Sequence, residues 1–217
     1  MSELMMTDYA FERMKANENF LISHIEHLEV IELINDAIDI SGQKSKDTNE
    51  WVKSSKHFFL HPILLTSSYA IHTHLITGNL PACFRELRFL FESLAFCHHA
   101  EKEFPNEVFF LEQMRNFDNL IRTKKRRKTI SQMLKDLETD IGTRFGLNQV
   151  YKQLSHDWVH TQGFAEKVVK FNSDNSQLPS WAWILPITLD EKDLTTVNEL
   201  NEYITIFRKI LKRSMAS

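Results

Sequence analysis

The stretch that decides the fold is PACFRELRFLFESLAFCHHAEKE, residues 81–103. When it is turned through about 100° per residue, its apolar side chains cover nearly every side of a helix. Cys83 and Phe84 lie on one broad face, and Phe89 and Phe96 lie on the other side. A surface helix carries an apolar stripe on one side only. The stretch therefore predicts a central, buried helix.

Helical periodicity also dominates the rest of the chain. The 217 residues are 42% hydrophobic, and the 5 glycines and 5 prolines leave little room for the tight turns of an all-β fold. We expect a single helical domain over residues 1–217, an all-α up-and-down bundle of seven or eight helices. Residues 164–189 differ, because two β-branched and aromatic runs flank the turn-rich NSDNSQLP. They predict a small β-hairpin or an extended arm.

Breaker and capping residues place several helix ends. Apolar residues recur every three or four positions over residues 17–40, which predicts one helix that Gly42 ends in the left-handed conformation. Gly78 closes the helix that precedes the central one, and Pro81 lies in the tolerated first turn of the central helix. Asn106 is expected to cap the helix that follows.

A narrow polar strip interrupts the apolar surface of the central helix. It consists of Arg85, Arg88, Glu92 and His99, which fall within about 60° of one another on an ideal helix. Ionisable groups on a buried helix need partners, because lone buried charges are costly. Arg88 and Glu92 can form a structural ion pair four residues apart. Alternatively, Arg88 binds a phosphate or carboxylate while Glu92 or a histidine transfers protons.

A second polar stripe lies on the helix that contains YKQLSHDWVH, residues 151–160. The apolar face of this helix is formed by Leu147, Tyr151, Leu154 and Trp158, and the opposite face by Gln149, Gln153, His156 and His160. This polar face is either solvated or turned into a cleft shared with Arg88 and Glu92. The candidate catalytic residues are Arg88, Glu92 and His160, with Arg85, His99, Tyr151, Ser155 and His156 nearby.

The segments LRFLFESLA and YKQLSHDWVH together resemble motifs of uncharacterised all-helical microbial proteins. Those proteins carry an Arg-x-x-x-Glu helix and a later Tyr-x-x-Leu-Ser-x-x-x-x-His helix. The matching residues here are Arg88, Glu92, Tyr151, Leu154, Ser155 and His160. The group is similar to the HEPN superfamily of small helical bundles, many of them dimeric ribonucleases of defence or toxin systems. The resemblance implies an RNA-acting or defence-associated homodimer.

One position departs from the HEPN pattern. HEPN nucleases carry an arginine a few residues before the histidine on the same helix, and this chain has Ser155 at that place. Either Arg88 from another helix takes that role, or the chain is a non-nuclease relative. In the second case it is a non-catalytic interaction domain, and the same residues form a polar network that fixes helix register.

Positive charge is concentrated in RTKKRRK, residues 122–128, although the net charge of the chain is −3. The functional interpretation is that Lys124, Lys125, Arg126, Arg127 and Lys128 contact nucleic-acid phosphates. The alternative is a solvated turn between two helices. No aromatic residue interleaves the run, so a platform for stacking single-stranded bases is not expected there.

Ten histidines raise the question of a metal site. The pairs His57/His61 and His156/His160 have a spacing that places two ligands on one helix edge. The sequence contains neither HExxH nor CxxC, and it has no Gly-rich phosphate loop. We therefore expect no bound metal or cofactor, and a metal-dependent enzyme is the third interpretation.

The cysteines and the hydropathy pattern favour a cytoplasmic protein. Cys83 and Cys97 lie 14 residues apart on one predicted helix, a separation of about 21 Å, which is too far for a disulfide. Free thiols are typical of a reducing compartment. No signal peptide is recognisable, and no apolar run reaches the roughly 18 residues that would span a membrane.

Overall fold

The computed structural model describes residues 3–44, 53–123, 129–159 and 188–216. The α-helices in these ranges are α1 (Glu3–His24), α2 (Glu29–Lys44), α3 (Ser55–Phe58), α4 (Thr66–Ile76), α5 (Leu80–Glu103), α6 (Phe110–Arg122), α7 (Ile130–Asp140), α8 (Leu147–Leu154) and α9 (Leu194–Ala216). A π-helical segment, Phe59–Leu65, joins α3 to α4, and another, Ser155–Val159, extends α8. A short 3-10 turn, Glu191–Asp193, leads into α9. The predicted all-α bundle is confirmed.

Helix α5 is the centre of the bundle. It packs against α4, α6, α7, α8 and α9, and it is buried on several sides, as the sequence predicts. Phe91 meets Phe207 of α9 edge to face at 5.1 Å between ring centroids, and Phe96 meets Phe117 of α6 at 5.0 Å. Among the phenylalanines of this helix, Phe89 is the exposed one. The central position of α5 brings its polar residues next to several other helices.

The turn between α4 and α5 follows the sequence prediction. Gly78 has a φ of 71°, in the left-handed region that a residue without Cβ adopts at low cost. The amide of Asn79 reaches back to the carbonyl of His74 at 2.8 Å. Pro81 lies in the first turn of α5, where its missing N–H costs no helical hydrogen bond.

The single helix predicted over residues 17–40 is wrong, because α1 ends at His24 and α2 begins at Glu29. The chain stays against the core through the break, since Ile25 and Val30 are both buried. The apolar spacing therefore continues although the helix does not.

Two other predicted helix ends are also wrong. Gly42 lies inside α2 and has no positive φ. Helix α6 begins at Phe110, and the residue before it, Phe109, is extended and exposed. Asn106 therefore does not cap this helix. The segment before Phe110 contains apolar residues that are not buried. Its sequence alone therefore predicts that the helix begins earlier than it does.

No strand occurs in the part of the chain that the structure describes. Of the β-hairpin predicted for residues 164–189, residues 188 and 189 fall in this part and are irregular, and residues 164–187 lie outside it. The hairpin is therefore not borne out. Within the described ranges, no helix combines the length and the apolar character needed to cross a membrane.

A buried amide ties the start of the C-terminal segment to the rest of the bundle. Asn17 of α1 is fully buried. Its Nδ2 donates to the carbonyl of Ile76 at 2.9 Å, and its Oδ1 accepts from the amide of Leu189 at 2.8 Å. One side chain thus satisfies two backbone groups that lie far apart in sequence.

An arginine joins α2 to α9. Arg208 Nε donates to Asp36 Oδ2 at 2.7 Å, and its Nη1 donates to Glu29. Lys212, one turn further along α9, places Nζ 2.8 Å from Asp36 Oδ1. The two helices are therefore held by charge as well as by apolar packing.

Candidate functional site

Part of the polar strip on α5 forms a closed cluster with α8. Arg88 Nη2 lies 2.8 Å from Glu92 Oε1 and donates to the hydroxyl of Tyr151 at 3.0 Å. The Tyr151 hydroxyl donates in turn to Glu92 Oε1 at 2.7 Å. We call Arg88, Glu92 and Tyr151 the Arg88 cluster. The sequence predicts the pairing of Arg88 with Glu92, and the structure adds Tyr151 to it.

The Arg88 cluster is partly open to solvent. The side chains of Arg88 and Glu92 are 22% and 29% exposed. Both polar contacts of the guanidinium use Nη2, so Nη1 takes no part in the cluster. Nε of Arg88 is buried and has no hydrogen-bond partner among the described residues. The guanidinium thus keeps donors beyond those that hold it in place.

The protonation states of the cluster follow from its surroundings. Burial lowers the pKa of Arg88, but the hydrogen bond that it donates to Tyr151 and the charge of Glu92 outweigh this effect and hold the pKa above the ordinary value. Burial raises the pKa of Tyr151, and Glu92 adds to this rise while Arg88 opposes it. At neutral pH, Arg88 is therefore a cation and Tyr151 a neutral phenol.

An aromatic stack joins α5 to the helical segment that supplies Tyr151. Trp158, at the far end of the same helical segment, stacks on Phe84 of α5 with 4.0 Å between ring centroids and 4° between ring planes. Phe84 and Arg88 are one turn apart on α5, so the aromatic stack and the Arg88 cluster are neighbouring contacts between two antiparallel helices. The guanidinium also lies 5.2 Å from the centroid of the Tyr151 ring.

The other residues of the predicted α5 strip do not join the cluster. Arg85 is exposed, and its Nε donates to the carbonyl of Pro81 at 3.4 Å. His99 is fully buried, and its Nε2 donates to the carbonyl of Met133 at 3.0 Å. It lies 11 residues beyond Arg88, about 16 Å along the helix. Arg85 and His99 share a helix face with Arg88 in sequence, but they do not belong to the same site.

The structure describes all residues of the polar stripe on the α8 segment except His160. Gln149, Gln153 and His156 are exposed, as predicted. His156 Nδ1 lies 2.8 Å from its neighbour Asp157, on the solvated side. Ser155 is buried, and its Oγ has no hydrogen-bond partner among the described residues. His160 lies outside these residues, so its approach to Arg88 stays a prediction.

The predicted phosphate contacts at residues 124–128 also lie outside the described ranges. Arg122, at the edge of the basic run, pairs with Asp118 one turn earlier at 2.8 Å. The described residues contain no group of three or more His, Cys, Asp or Glu side chains that could hold a metal ion. Cys83 and Cys97 are free and buried, as predicted. Burial raises the pKa of Cys97 to about 12.

A second cluster of ionisable groups, which was not predicted from the sequence, lies at the C-terminal end of α5. His98 Nε2 donates to Asp140 Oδ2 at 3.0 Å, and Lys102 Nζ lies 2.7 Å from both carboxylate oxygens of Asp140. The four-residue spacing of His98 and Lys102 was a possible signal. Nothing in the sequence pairs them with a residue on α7.

The described part of this chain is thus an all-α helical bundle with a polar cluster where α5 meets α8. Comparisons with protein-family models, with curated proteins and with solved structures found no match to it.

Proposed function

We propose that this chain is an RNA-acting, HEPN-like bundle, with Arg88, Glu92 and His160 as its catalytic residues. The observation that carries the proposal is the Arg88 cluster, in which a partly exposed arginine and carboxylate are held in place by Tyr151. His160 directly follows Val159, the last described residue of the helical segment that supplies Tyr151. The proposal assigns these groups to one site.

The proposed chemistry is cleavage of the RNA backbone. A guanidinium is a planar donor that matches two phosphate oxygens, and Nη1 of Arg88 is not used within the cluster. His160 removes the proton of the ribose 2′-hydroxyl, whose oxygen attacks the adjacent phosphorus. The 5′-oxygen leaves and takes up a proton from water, which gives a 2′,3′-cyclic phosphate and a 5′-hydroxyl. Glu92 orients His160 or balances the positive charge that His160 gains, and its ion pair also holds Arg88 in position.

The position of Arg88 supports its role as a substitute for the missing HEPN arginine. Ser155 occupies the place where HEPN nucleases carry that arginine, and it lies one turn beyond Tyr151 on the same helical segment. Arg88 contacts the hydroxyl of Tyr151 directly. An arginine from α5 therefore lies close to the helix on which the HEPN motif places it.

The cleavage products test this chemistry. We expect end-labelled RNA incubated with the protein to give fragments with cyclic phosphate and 5′-hydroxyl ends, and His160→Ala to stop their formation. Fragments with 5′-phosphate ends would instead indicate attack by water and would exclude the proposed step. Equal cleavage by the wild type and His160→Ala would assign the activity to another group or to a contaminant.

The basic run is proposed as the RNA contact. If Lys124, Lys125, Arg126 and Arg127 neutralise phosphates, binding weakens steeply with salt because counterions are released. Replacing these four residues with Ser should then flatten the dependence of the binding constant on salt concentration. An unchanged slope would show that the run is a solvated turn.

The second candidate is a non-catalytic interaction domain, in which the chain forms a homodimer without enzymatic activity. It is favoured by one feature of the Arg88 cluster. The three side chains contact one another in a closed set, so they can fix the register of α5 and α8 without any ligand. For this function, light scattering should give twice the mass of the chain, RNA should stay intact, and cluster variants should lose stability alone.

A further inference from the structure

The cluster of His98, Lys102 and Asp140 borders a pocket of about 350 Å³. The pocket lies where the C-terminal end of α5 approaches α3 and the end of α7. It is lined by Lys56, His98, Glu101, Lys102, Pro105 and Asp140. None of these residues belongs to the Arg88 cluster. Its volume is within the range of small-molecule sites.

Both carboxylates of this pocket already have structural partners. Glu101 Oε2 accepts from Ser54 Oγ at 2.6 Å and from the backbone amide of Lys56 at 3.2 Å, so it caps the start of α3. Asp140 accepts from His98 and from Lys102. The two carboxylates therefore serve the fold, and they are poorly placed to act as free cation ligands.

The ammonium group of Lys56 is less completely satisfied. Its side chain is only 16% exposed. Nζ donates to the carbonyl of Ser214 at 3.2 Å, near the end of α9, and its paired carboxylate oxygen, Oε1 of Glu101, is 3.9 Å away. An ammonium group has three donors. Among the described residues, Lys56 is thus a mostly buried cation with donors to spare at the wall of a pocket, and an anion would complete this arrangement.

We propose that this pocket binds a small oxyanion of the phosphate type, with Lys56 and Lys102 as its charged contacts. Lys102 is half exposed and lies on the same helix as His98, so its ammonium can contact both Asp140 and a bound anion. The two lysines and the two carboxylates cancel in formal charge. The pocket is therefore suited to a small anion held by directed hydrogen bonds, not to a polyanion drawn in by net charge.

His98 is a built-in reporter of binding. Burial lowers its pKa, and the positive charge of Lys56 lowers it further, while Asp140 opposes both effects. Its neighbour His99 also lowers the pKa. An anion beside Lys56 would offset the charge of that lysine, so the pKa of His98 should rise when the pocket is filled.

The experiment is an NMR titration of the full chain with inorganic phosphate, at an ionic strength held constant with sodium chloride. We expect saturable binding, and a His98 pKa that is higher with phosphate than without it. Lys56→Gln should weaken the apparent affinity by about tenfold or more, because a charge-assisted hydrogen bond is lost. Lys209→Gln removes one exposed lysine of α9 that does not line the pocket, and this variant should bind phosphate like the wild type.

Three results would overturn the proposal. One is a response to phosphate that does not saturate. Another is an equal response in Lys56→Gln and Lys209→Gln, which would mark a general salt effect. The third is a His98 pKa that phosphate leaves unchanged. If Lys56→Gln does not fold, Lys56→Arg and Lys102→Gln take its place, and we expect binding to be kept in the first and weakened in the second.

Discussion

Replacing Arg208 with Met should be among the more damaging single changes in this bundle. The side chain of Arg208 is 16% exposed and that of Asp36 is 12% exposed. Their ion pair is therefore expected to stabilise the fold by more than the roughly 0–1 kcal/mol of a solvent-exposed salt bridge. Removing one partner of a fully buried pair costs about 3–5 kcal/mol. Lys212 remains beside Asp36 after the change. We therefore expect Arg208→Met to lower the free energy of unfolding by about 2–4 kcal/mol.

Urea denaturation of Arg208→Met and Arg88→Met measures this difference. Arg88 pairs along its own helix, and its removal leaves Glu92 and Tyr151 bonded to each other. The expected loss there is about 1–2 kcal/mol. An Arg208→Met loss no larger than that of Arg88→Met would refute the reasoning, because it would show that joining α2 to α9 adds nothing.

Acid unfolding gives an independent check on the same clamp. Burial raises the pKa of Asp36, but hydrogen bonds from Arg208 and Lys212 more than offset this and hold it below the ordinary value. A lowered carboxylate pKa contributes stability above the unfolded-state pKa of about 3.9, and this is lost as pH falls further. The wild type should therefore lose more stability below about pH 4 than Arg208→Met does.

Three further predictions concern single side chains. Asn17→Ala should lower the free energy of unfolding by about 2–4 kcal/mol in urea denaturation, because two backbone groups lose their buried partner; a loss below about 1 kcal/mol would contradict the bridging role. Tyr151→Phe should cost about 1–2 kcal/mol, because it removes one hydroxyl from a cluster whose ion pair remains; no measurable loss would show that the hydroxyl contacts are unimportant. Burial lowers the pKa of His98 despite the opposing effect of Asp140. As pH falls, His98 is therefore protonated in the unfolded state before it is protonated in the folded state. The folded state keeps the full stability contribution of His98 above about pH 6.5 and loses it as pH drops further. His98→Gln should flatten this dependence while His27→Gln, at an exposed site, should not; the same slope in both variants would remove His98 as its cause.

Much of the fold could be predicted from the sequence because it depends on the conformational preferences and the apolar pattern of neighbouring residues. Gly78 needs a left-handed backbone, and the all-round apolar pattern of α5 requires burial. The errors came where an apolar pattern continued without a helix. Ile25 stays buried after α1 has ended, because the core contacts the chain and not only its helices. Phe109 is apolar yet extended and exposed, and no local signal distinguishes it from a helical residue.

The candidate site was less predictable because it depends on which helices meet. Arg88 and Glu92 share one helix, and their spacing was sufficient to predict the pair. The contact with Tyr151 spans 63 positions and follows from the packing of α8 on α5. His99 shared the same face in sequence, yet it meets a backbone carbonyl of α7. Periodicity gives the face of a helix, and only tertiary packing decides what that face contacts.

The most direct test of the proposed site compares Arg88→Ala with Arg115→Ala, a change at an exposed arginine on α6. RNA cleavage and thermal unfolding are measured on the same preparations of both variants and the wild type. The proposal predicts that Arg88→Ala abolishes cleavage at a temperature where it remains folded, while Arg115→Ala cleaves like the wild type. A wild type that leaves RNA intact, together with an Arg88→Ala variant that is only less stable, would contradict the proposal and assign the Arg88 cluster to structure.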